Sequence, residues 1–429
     1  MEEYIYIVQA SLESSRCKIG KTNDLERRLK EYNSMTGKSK SNIYGYLFTC
    51  KVKDATLLEN AIKEEFFTLR EAKNKEIYFW TEHWFGKYIN FIKTHRLFIE
   101  EIFIKTEIQP EVQTKIIKRV TPSLDERGTT RINELHRAKR IKDDEFYTQY
   151  EDIEKELIMY PVETWYDKVV YCNCDDAVGD NEKSTSPFAL YFLQNFKKLN
   201  IKKLICTHFA GKIDLFNAGS KAYIFTKEGF SENLFEGDYN YPERYDGSFD
   251  HKLSLKILNE EADIICTNPP FSRAIDYWKI IIESGKKFLI ISNIVNPIST
   301  WCIPYFKNKK VWAGYNRVDW FLNPKREKVE AGGHWYTNLT IENRAKYELL
   351  RIMPLKEIPN EYKKYDDTGL LLVGKGYIPN DYKGVFAVSA RPILNGLLEK
   401  GYKIANDKQY DPSINGKTGF KRVLIEKIS

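Results

Sequence analysis

The stretch Asp263-Ile264-Ile265-Cys266-Thr267-Asn268-Pro269-Pro270-Phe271 decides the fold of the larger part of the chain. Its first residues read as a short apolar strand, which runs directly into Asn-Pro-Pro-Phe. Similar runs at 168–172, 203–206 and 288–291 alternate with helical patterns. Such alternation is typical of a mostly parallel, doubly wound α/β sheet, in which ligands bind beyond the carboxyl ends of the strands. The residues after Cys172 and after Cys266 are therefore expected at the same edge of the sheet, beyond the carboxyl ends of its strands.

Composition limits the class of protein. The chain has 429 residues, of which 42% are hydrophobic and 30% charged, so two globular domains are expected. No apolar run has the length of a membrane span, and the first residues do not resemble a signal peptide, which together predict a cytoplasmic protein. Seven cysteines fit a reducing compartment, and buried thiols explain Cys172 and Cys174 better than a metal does. The net charge of +7 is compatible with a polyanionic partner.

The patterns divide the chain into four parts: residues 1–96, a charged linker over 97–142, an α/β core over 143–324 and a C-terminal part over 325–429. The linker ends in a basic run comprising Arg127, Arg131, Arg137, Lys139, Arg140 and Lys142. Such a run is usually a solvated face, and contact with phosphates is the less common interpretation. The C-terminal part carries Lys325, Arg326, Lys328 and the stretch Gly332 to Trp335, and we assign target recognition to it.

Asn268, Pro269, Pro270 and Phe271 have the chemistry to methylate an exocyclic amine. The lone pair of such a nitrogen is delocalised into the ring, so acceptors are needed that draw it towards tetrahedral geometry. The Asn268 amide oxygen and the Pro269 carbonyl can both accept from the amino group, and the two prolines fix the backbone. Phe271 offers a ring on which an extruded base can stack. The alternative is a plain turn after a strand, which the position at a strand's end disfavours.

Two segments are candidates for binding a cofactor. Phe146, Tyr147 and Thr148 resemble the cofactor-contacting segment before the first strand of permuted amino-methyltransferases; an aromatic helix start is the alternative. Asn173, Asp175 and Asp176 follow the first sheet strand, where their carboxylates could hold a cationic ammonium group. A simple acidic loop is the other interpretation.

From about Ala138 to the C terminus, the chain resembles the EcoRI-type adenine modification methylases. The resemblance is carried by Asp144 to Ile153, Val170 to Asp176, Ala262 to Ser272, Lys287 to Ile291, Trp335 to Leu339 and Ile378 to Tyr382. It implies a Rossmann-like sheet with helices on both faces, S-adenosylmethionine as cofactor, and adenine-N6 methylation of double-stranded DNA. It also implies that the Asn-Cys-Asp-Asp segment replaces the usual glycine-rich loop. An acidic residue expected before Phe249 is Ser248 here, with Asp246 and Asp250 nearby.

Residues 3–85 resemble the GIY-YIG nuclease superfamily, in its phage and DNA-virus branch. Tyr4-Ile5-Tyr6 and Lys18-Ile19-Gly20 match its two strands, and Arg28, Glu59 and Glu76 match later positions. The resemblance implies a small α+β domain in which Glu59 holds Mg²⁺, Tyr6 activates water and Arg28 pairs with phosphate oxygens. Tyr4 and Lys18 stand where better-known members have glycine and tyrosine. Each residue also has a structural explanation, as a strand-face tyrosine, a solvated arginine or a surface glutamate.

Three functions are compatible with these two resemblances. The first is a bifunctional enzyme that methylates DNA and cuts it, as in a single-chain restriction–modification protein. In the second, the N-terminal domain only binds DNA. In the third, the Asn-Pro-Pro-aromatic motif methylates a glutamine amide of a protein, although Phe271 stands where such enzymes favour tyrosine.

Overall fold

The computed structural model describes most of the chain, with gaps. The described residues are 2–11, 13, 15–35, 43–104, 146–178, 185–209, 220–233, 245–323, 327–341, 350–358, 370–372, 377–411, 413–414, 417–418 and 421–428. The basic run of the predicted linker, and Lys325 and Arg326, lie outside these residues.

The strands and helices follow one another closely in the described segments. The strands are β1 (Glu3–Ala10), β2 (Arg16–Thr22), β3 (Tyr44–Val52), β4 (Ile77–Phe79), β5 (Phe98–Glu101), β6 (Tyr147–Thr148), β7 (Val169–Cys172), β8 (Lys203–Cys206), β9 (Ala222–Thr226), β10 (Gly229–Asn233), β11 (Ile264–Thr267), β12 (Lys287–Asn293), β13 (Trp312–Leu322), β14 (Lys328–Thr337), β15 (Arg351–Met353), β16 (Leu371–Leu372), β17 (Tyr377–Pro379), β18 (Phe386–Val388), β19 (Tyr402–Tyr410), β20 (Ser413–Ile414), β21 (Lys417–Thr418) and β22 (Arg422–Lys427). The α-helices are α1 (Leu25–Met35), α2 (Ala55–Glu65), α3 (Glu82–Thr94), α4 (Tyr150–Leu157), α5 (Pro187–Gln194), α6 (Phe196–Leu199), α7 (Lys252–Lys256), α8 (Ala274–Glu283), α9 (Ile303–Lys307) and α10 (Ala390–Leu394).

The chain divides into two compact units that do not follow its linear order. Unit 1 comprises residues 1–128 and 175–247, and unit 2 comprises residues 129–174 and 248–429. The segment 175–247 therefore belongs with the N-terminal residues. None of the helices in the described segments is both long and apolar enough to cross a membrane.

The N-terminal part of unit 1 is a five-stranded antiparallel sheet in the order β4-β2-β1-β3-β5. Asp24 caps α1, because its carboxylate accepts from Arg27 N at 2.9 Å, and Asp54 does the same for α2 through Leu57 N at 2.8 Å. Strand β5 pairs with β3 beyond Arg96, where the sequence places the domain's end. The small α+β fold expected for this part is thus present.

The rest of unit 1 is built on an antiparallel meander. Strand β8 pairs with β9, and β9 pairs with β10 through a tight hairpin at Gly229. Gly229 has a φ of +130°, which favours glycine.

The main sheet of unit 2 is mixed, so the prediction of a mostly parallel sheet was wrong for its outer part. Strand β11 pairs in parallel with both β7 and β12. Beyond β12, the strands β14, β13 and β6 are antiparallel to their neighbours. The apolar strands of the parallel part are buried, so they are easily recognised in the sequence. The long β13–β14 hairpin carries charged and glycine residues, which obscure its strand pattern.

The stretch Gly332 to Trp335, assigned from sequence to target recognition, lies inside β14. Trp335 has no exposed surface, and His334 is buried beside it. A Cβ on Gly332 would lie 2.9 Å from Ile294 Cγ2, and one on Gly333 2.7 Å from Phe321 Cζ. The two glycines are therefore explained by close packing in the sheet.

Candidate functional site

Asn268 follows the last residue of β11, as the sequence predicts for the first residue of the motif. Its side-chain Nδ2 donates to the backbone carbonyl of Phe146 at 2.6 Å. That bond fixes the plane of the amide and turns Oδ1 away from Phe146. Asn268 Oδ1 is buried and has no hydrogen-bond partner among the described residues. A buried acceptor without a donor is costly, so this atom is an acceptor that a ligand can satisfy.

Two phenylalanines pack on Phe271, the last residue of the motif. The Phe271 ring meets the Phe146 ring edge to face, with centroids 5.6 Å apart, and the Phe321 ring at the same distance. Phe146 and Phe321 also pack on each other at 6.3 Å. Phe321 fits because it lies over Gly333 of the neighbouring strand. This cluster, Phe146, Phe271 and Phe321, fixes the orientation of the partly exposed Phe271 ring.

Asn173, the residue after β7, is held by a hydrogen bond from α8, the helix that follows the motif. Asn173 is buried, and its Oδ1 accepts from the Tyr277 hydroxyl of α8 at 2.7 Å. The Tyr277 ring packs edge to face on Phe249, with centroids 5.0 Å apart. Asn173 is thus tied to the same helix that the Asn-Pro-Pro-Phe motif leads into.

Asp250, the acidic residue that follows Phe249, forms an ion pair with the segment after the motif. Arg273, two residues after Phe271, donates to Asp250 Oδ2 at 2.6 Å, and its guanidinium lies 4.5 Å from the centroid of the Phe249 ring. The Arg273 bond, helped by the Ser248 hydroxyl, lowers the pKa of Asp250 to about 2. Ser248, which replaces the expected acid, therefore takes part in holding this ion pair.

Asp175 and Asp176 belong to unit 1 and lie beside the end of β8. Asp175 N donates to the carbonyl of Thr207, the residue after β8, at 3.0 Å. One Asp176 carboxylate oxygen accepts from Val178 N at 3.1 Å, and the other is 3.2 Å from His208 Nδ1. The two partly exposed carboxylates form an acidic turn at a strand end, which fits a site for a cationic group.

The segment Phe146 to Thr148 reaches the site through its backbone as well as its rings. Tyr147 pairs with Leu322 and Thr148 with Phe321 at the edge of the sheet. Thr148 Oγ1 is buried without a hydrogen-bond partner in the described part of the chain. The segment thus presents a second buried polar atom that a ligand can satisfy.

Glu156 anchors α4, the helix that follows this segment. The side chain is fully buried, and it accepts from Tyr160 Oη, Tyr315 N and Asn316 N at 2.8–2.9 Å. Burial raises its pKa to about 7, against the opposing effect of these donors. The bonds lie at an irregularity in β13, between Ala313 and Arg317. Glu156 therefore joins the helix after Phe146 to the strand that carries Phe321.

The N-terminal residues Tyr6, Gly20 and Arg28 come together in unit 1. Arg28 Nε donates to the Tyr6 hydroxyl at 3.0 Å, and that hydroxyl is 2.8 Å from the Tyr32 hydroxyl. A Cβ on Gly20 would lie 2.6 Å from the Tyr6 hydroxyl, so glycine is required where the tyrosine crosses β2. Tyr6 is 1% exposed, and its hydroxyl is engaged by these neighbours.

Lys18 and Glu59 occupy different surroundings. Lys18 Nζ lies 5.1 Å from the centroid of the Tyr32 ring, and the Arg28 guanidinium lies 4.8 Å from the same centroid. Glu59 is paired with Lys63 at 2.9 Å and with Lys21 at 3.7 Å. No group of three or more His, Cys, Asp or Glu side chains suited to a metal is found among the described residues. The arrangement around Glu59 therefore gives the predicted Mg²⁺ site no support.

Sequence reasoning missed three contributors to the site around Asn268. Phe321 and Glu156 lie 50 or more positions from the motif, and nothing local marks them. Arg273 was overlooked although it follows the motif within two residues, and its spacing from Phe271 was the available signal.

Comparison with known proteins gives the same assignment for this part of the chain. Residues 134–396 match the family model described as adenine-specific methyltransferase EcoRI, and residues 3–99 match the T5orf172 domain. The second description does not identify a GIY-YIG nuclease, which stays a prediction. No solved structure shows significant similarity to the chain.

Two curated relatives are covered almost completely. The Type II methyltransferase M.EcoRI of Escherichia coli is 34% identical over 325 residues, which is 68% of this chain and 95% of the relative. The Type II methyltransferase M.MgeORF184P of Mycoplasma genitalium is 30% identical over 341 residues, which is 69% of this chain and 99% of the relative. The extent of these matches and the geometry around Asn268 lead to one conclusion: the chain belongs to the EcoRI family of adenine-specific methyltransferases.

Proposed function

We propose that the protein methylates the N6 amino group of adenine at a specific sequence in double-stranded DNA, with S-adenosylmethionine as methyl donor. The observation that carries the proposal is the orientation of Asn268. Its nitrogen is held by Phe146 O, which leaves a buried carboxamide oxygen without a donor at the end of β11. The amino group of an adenine would supply that donor.

The Asn268 oxygen and the Pro269 carbonyl would each accept one amino hydrogen. These two bonds draw the nitrogen lone pair out of conjugation with the ring and aim it at the methyl carbon. S-adenosylmethionine would supply the methyl group as a sulfonium that releases its thioether on transfer, and the proton lost from the amino group would leave to water. Catalysis on this scheme is positioning together with hydrogen bonding, and no general base is required.

Phe271 would carry the face of the extruded adenine. Its ring is part-exposed, and the edges of Phe146 and Phe321 support it. Stacking on an aromatic ring contributes about 1–3 kcal/mol per base, comparable with the cost of unstacking it. A fixed ring orientation lets that stacking also set the position of the amino group.

The cofactor supplies an activated methyl group on a sulfonium. Asp175 and Asp176 suit its ammonium group, because both are acidic and partly exposed at a strand end. Asn173, Phe146, Tyr147 and Thr148 are the other residues for which the sequence predicts contact with the cofactor, and the buried Thr148 hydroxyl offers a polar contact. Residues 325–429 stay our proposed target-recognition part, apart from the buried strand β14.

The proposal is tested by expressing the gene in a host without DNA methylation and sequencing the DNA with detection of modified bases. We expect N6-methyladenine in one short sequence, and none after Asn268→Ala. Methylcytosine instead of methyladenine, or unmodified DNA with a methylated glutamine in a host protein, would refute it. The family assignment already favours DNA over the glutamine alternative.

A second activity, phosphodiester cleavage by the N-terminal domain in the manner of a GIY-YIG nuclease, is favoured by one observation. The Arg28 guanidinium and the Lys18 ammonium both pack on the Tyr32 ring, 4.8 and 5.1 Å from its centroid, and Arg28 also donates to the Tyr6 hydroxyl. Such a cluster can bind a phosphate, which fits either cleavage or simple DNA binding.

Incubation with supercoiled plasmid and MgCl₂ distinguishes these outcomes. Nicking that disappears in both Arg28→Ala and Glu59→Ala would support cleavage. Binding that weakens in Arg28→Ala without any nicking would leave the domain as a DNA-binding module.

A further inference from the structure

An interface inside unit 1 joins the two parts of the chain that belong to different families. One side is the N-terminal sheet, within the T5orf172 match, and the other is the β9–β10 hairpin, within the methyltransferase match. We propose that the N-terminal domain stays permanently packed on this hairpin. The methyltransferase part of this chain therefore depends on the N-terminal domain for its fold.

Aromatic side chains form the centre of the interface. Phe79 of β4 packs edge to face on Phe225, Phe230 and Tyr223, with ring centroids 5.3, 5.4 and 5.7 Å apart. Phe79, Phe225 and Phe230 have no exposed surface, and Tyr223 has 6%. Taking the N-terminal domain away would leave this aromatic face of the hairpin open to water.

Backbone hydrogen bonds close the edge of the hairpin. Phe230 N donates to Arg70 O at 2.7 Å, and Ala72 N donates to Phe230 O at 2.8 Å. Strand β10 is the last strand of its sheet, and an open edge of this kind invites pairing with another chain. Residues 70–72 take the place that such a strand would occupy.

Gly229 allows the two backbones to come this close. A Cβ at this position would overlap the carbonyl oxygen of Arg70. The glycine therefore serves both the hairpin turn and the approach of the N-terminal domain.

A buried carboxylate gives the interface its specificity. The Glu232 side chain is only 4% exposed, and it accepts from the Ser15 hydroxyl at 2.7 Å. Its other oxygen is 3.4 Å from Arg16 and 3.1 Å from Lys221 of the hairpin itself. A carboxylate buried in this way is costly unless both cations stay in place, so separation of the N-terminal domain would leave it underpaired.

The comparison with relatives limits the proposed dependence to this chain. M.EcoRI and M.MgeORF184P are matched over 95% and 99% of their length by 68% and 69% of this chain. About a third of this chain thus lies outside these matches, so the proposed dependence on the N-terminal domain does not extend to the family as a whole.

The test uses the full-length protein with a protease recognition sequence inserted between residues 99 and 134, outside both family matches. After cleavage, we expect the two fragments to co-elute in size-exclusion chromatography. Phe79→Ala and Glu232→Lys should each raise the dissociation constant of the cut protein at least about tenfold, from lost ring contacts and charge repulsion. Two matched controls, Phe48→Ala in the same sheet and the exposed Glu100→Lys, should leave the fragments together.

Two results would overturn the proposal. One is separation of the fragments of the unaltered chain while both stay folded by circular dichroism. The other is co-elution of the Phe79→Ala and Glu232→Lys fragments with the affinity of the controls. Because Glu232 lies on the hairpin, its variant remains informative if Phe79→Ala prevents the N-terminal sheet from folding.

Discussion

The Asn268 side chain is oriented by the backbone of Phe146, through a 2.6 Å bond from Nδ2 to the carbonyl oxygen. These residues are 122 positions apart, and the bond connects the predicted catalytic motif to the predicted cofactor segment. A free carboxamide can present either its oxygen or its nitrogen to a substrate. Here the nitrogen is already used, so the oxygen is the atom available for an adenine amino group.

Replacing Asn268 should abolish methyl transfer without unfolding the protein. Asn268→Ala removes the oriented acceptor, and we expect kcat to fall by about 10²–10³-fold or more, as for other preorganised hydrogen-bonding groups. Transfer of labelled methyl groups from the cofactor to DNA measures this, with thermal unfolding as the check on folding. Asn308→Ala, at the exposed end of α9, is the control and should keep full activity. Undiminished transfer by Asn268→Ala would disprove the catalytic assignment.

Removing the Phe271 ring should impair methylation mainly through base extrusion. Phe271→Ala loses a stacking contribution of about 1–3 kcal/mol, which corresponds to roughly 5–150-fold in kcat/KM. DNA with an abasic site opposite the target adenine costs less to open, so it should restore part of the loss. Equal losses on paired and abasic substrates would show that Phe271 does not support the extruded base.

Gly333 should be needed for the position of Phe321 and, through it, of Phe271. In Gly333→Ala the new Cβ would lie 2.7 Å from Phe321 Cζ, so the ring must move against Phe271. We expect an overpacking cost of about 1–3 kcal/mol in the free energy of unfolding and a several-fold rise in KM for DNA. Gly45→Ala is the control, since Gly45 is also in a strand and a Cβ there meets nothing within 4 Å. If Gly333→Ala matched this control in the free energy of unfolding and in KM, Gly333 would not set the position of Phe271 through Phe321.

Glu156 should make stability depend on pH. Its pKa is raised from 4.5 to about 7, so the folded state binds the proton more tightly than the unfolded state does. The resulting stabilisation is complete below about pH 4.5 and is lost as the pH rises to about 7, with a total on the order of 3 kcal/mol. Urea unfolding between pH 4.5 and 8 measures it. Glu156→Gln should flatten this slope, whereas the exposed Glu151→Gln on the same helix should retain it.

Glu156→Gln should also be less stable than the unaltered protein near pH 4.5, where Glu156 is neutral as well. Its amide nitrogen would face donors from Tyr315, Asn316 and Tyr160, leaving at least one of them unsatisfied at a cost of about 1–3 kcal/mol. A variant as stable as the unaltered protein at this pH would show that these donors do not hold both carboxyl oxygens.

The sequence by itself determined the apolar strands and the helix starts, and it carries the predicted catalytic motif. Strand β8 and the Asp24 and Asp54 helix caps depend on local patterns, and Asn268 to Phe271 carry their chemistry in four adjacent residues. Such features are readable because the hydrophobic period and the capping residues act over a few positions.

Only the tertiary structure decided how these pieces are used. The antiparallel outer sheet, the packing of Phe321 over Gly333 and the burial of Glu156 all join residues far apart in the chain. The same holds for the β9–β10 hairpin, which lies within the methyltransferase match but packs on Phe79 of the N-terminal sheet. Contacts of this kind depend on side-chain shape and on which surfaces meet after folding, and neither leaves a periodic signal in the sequence.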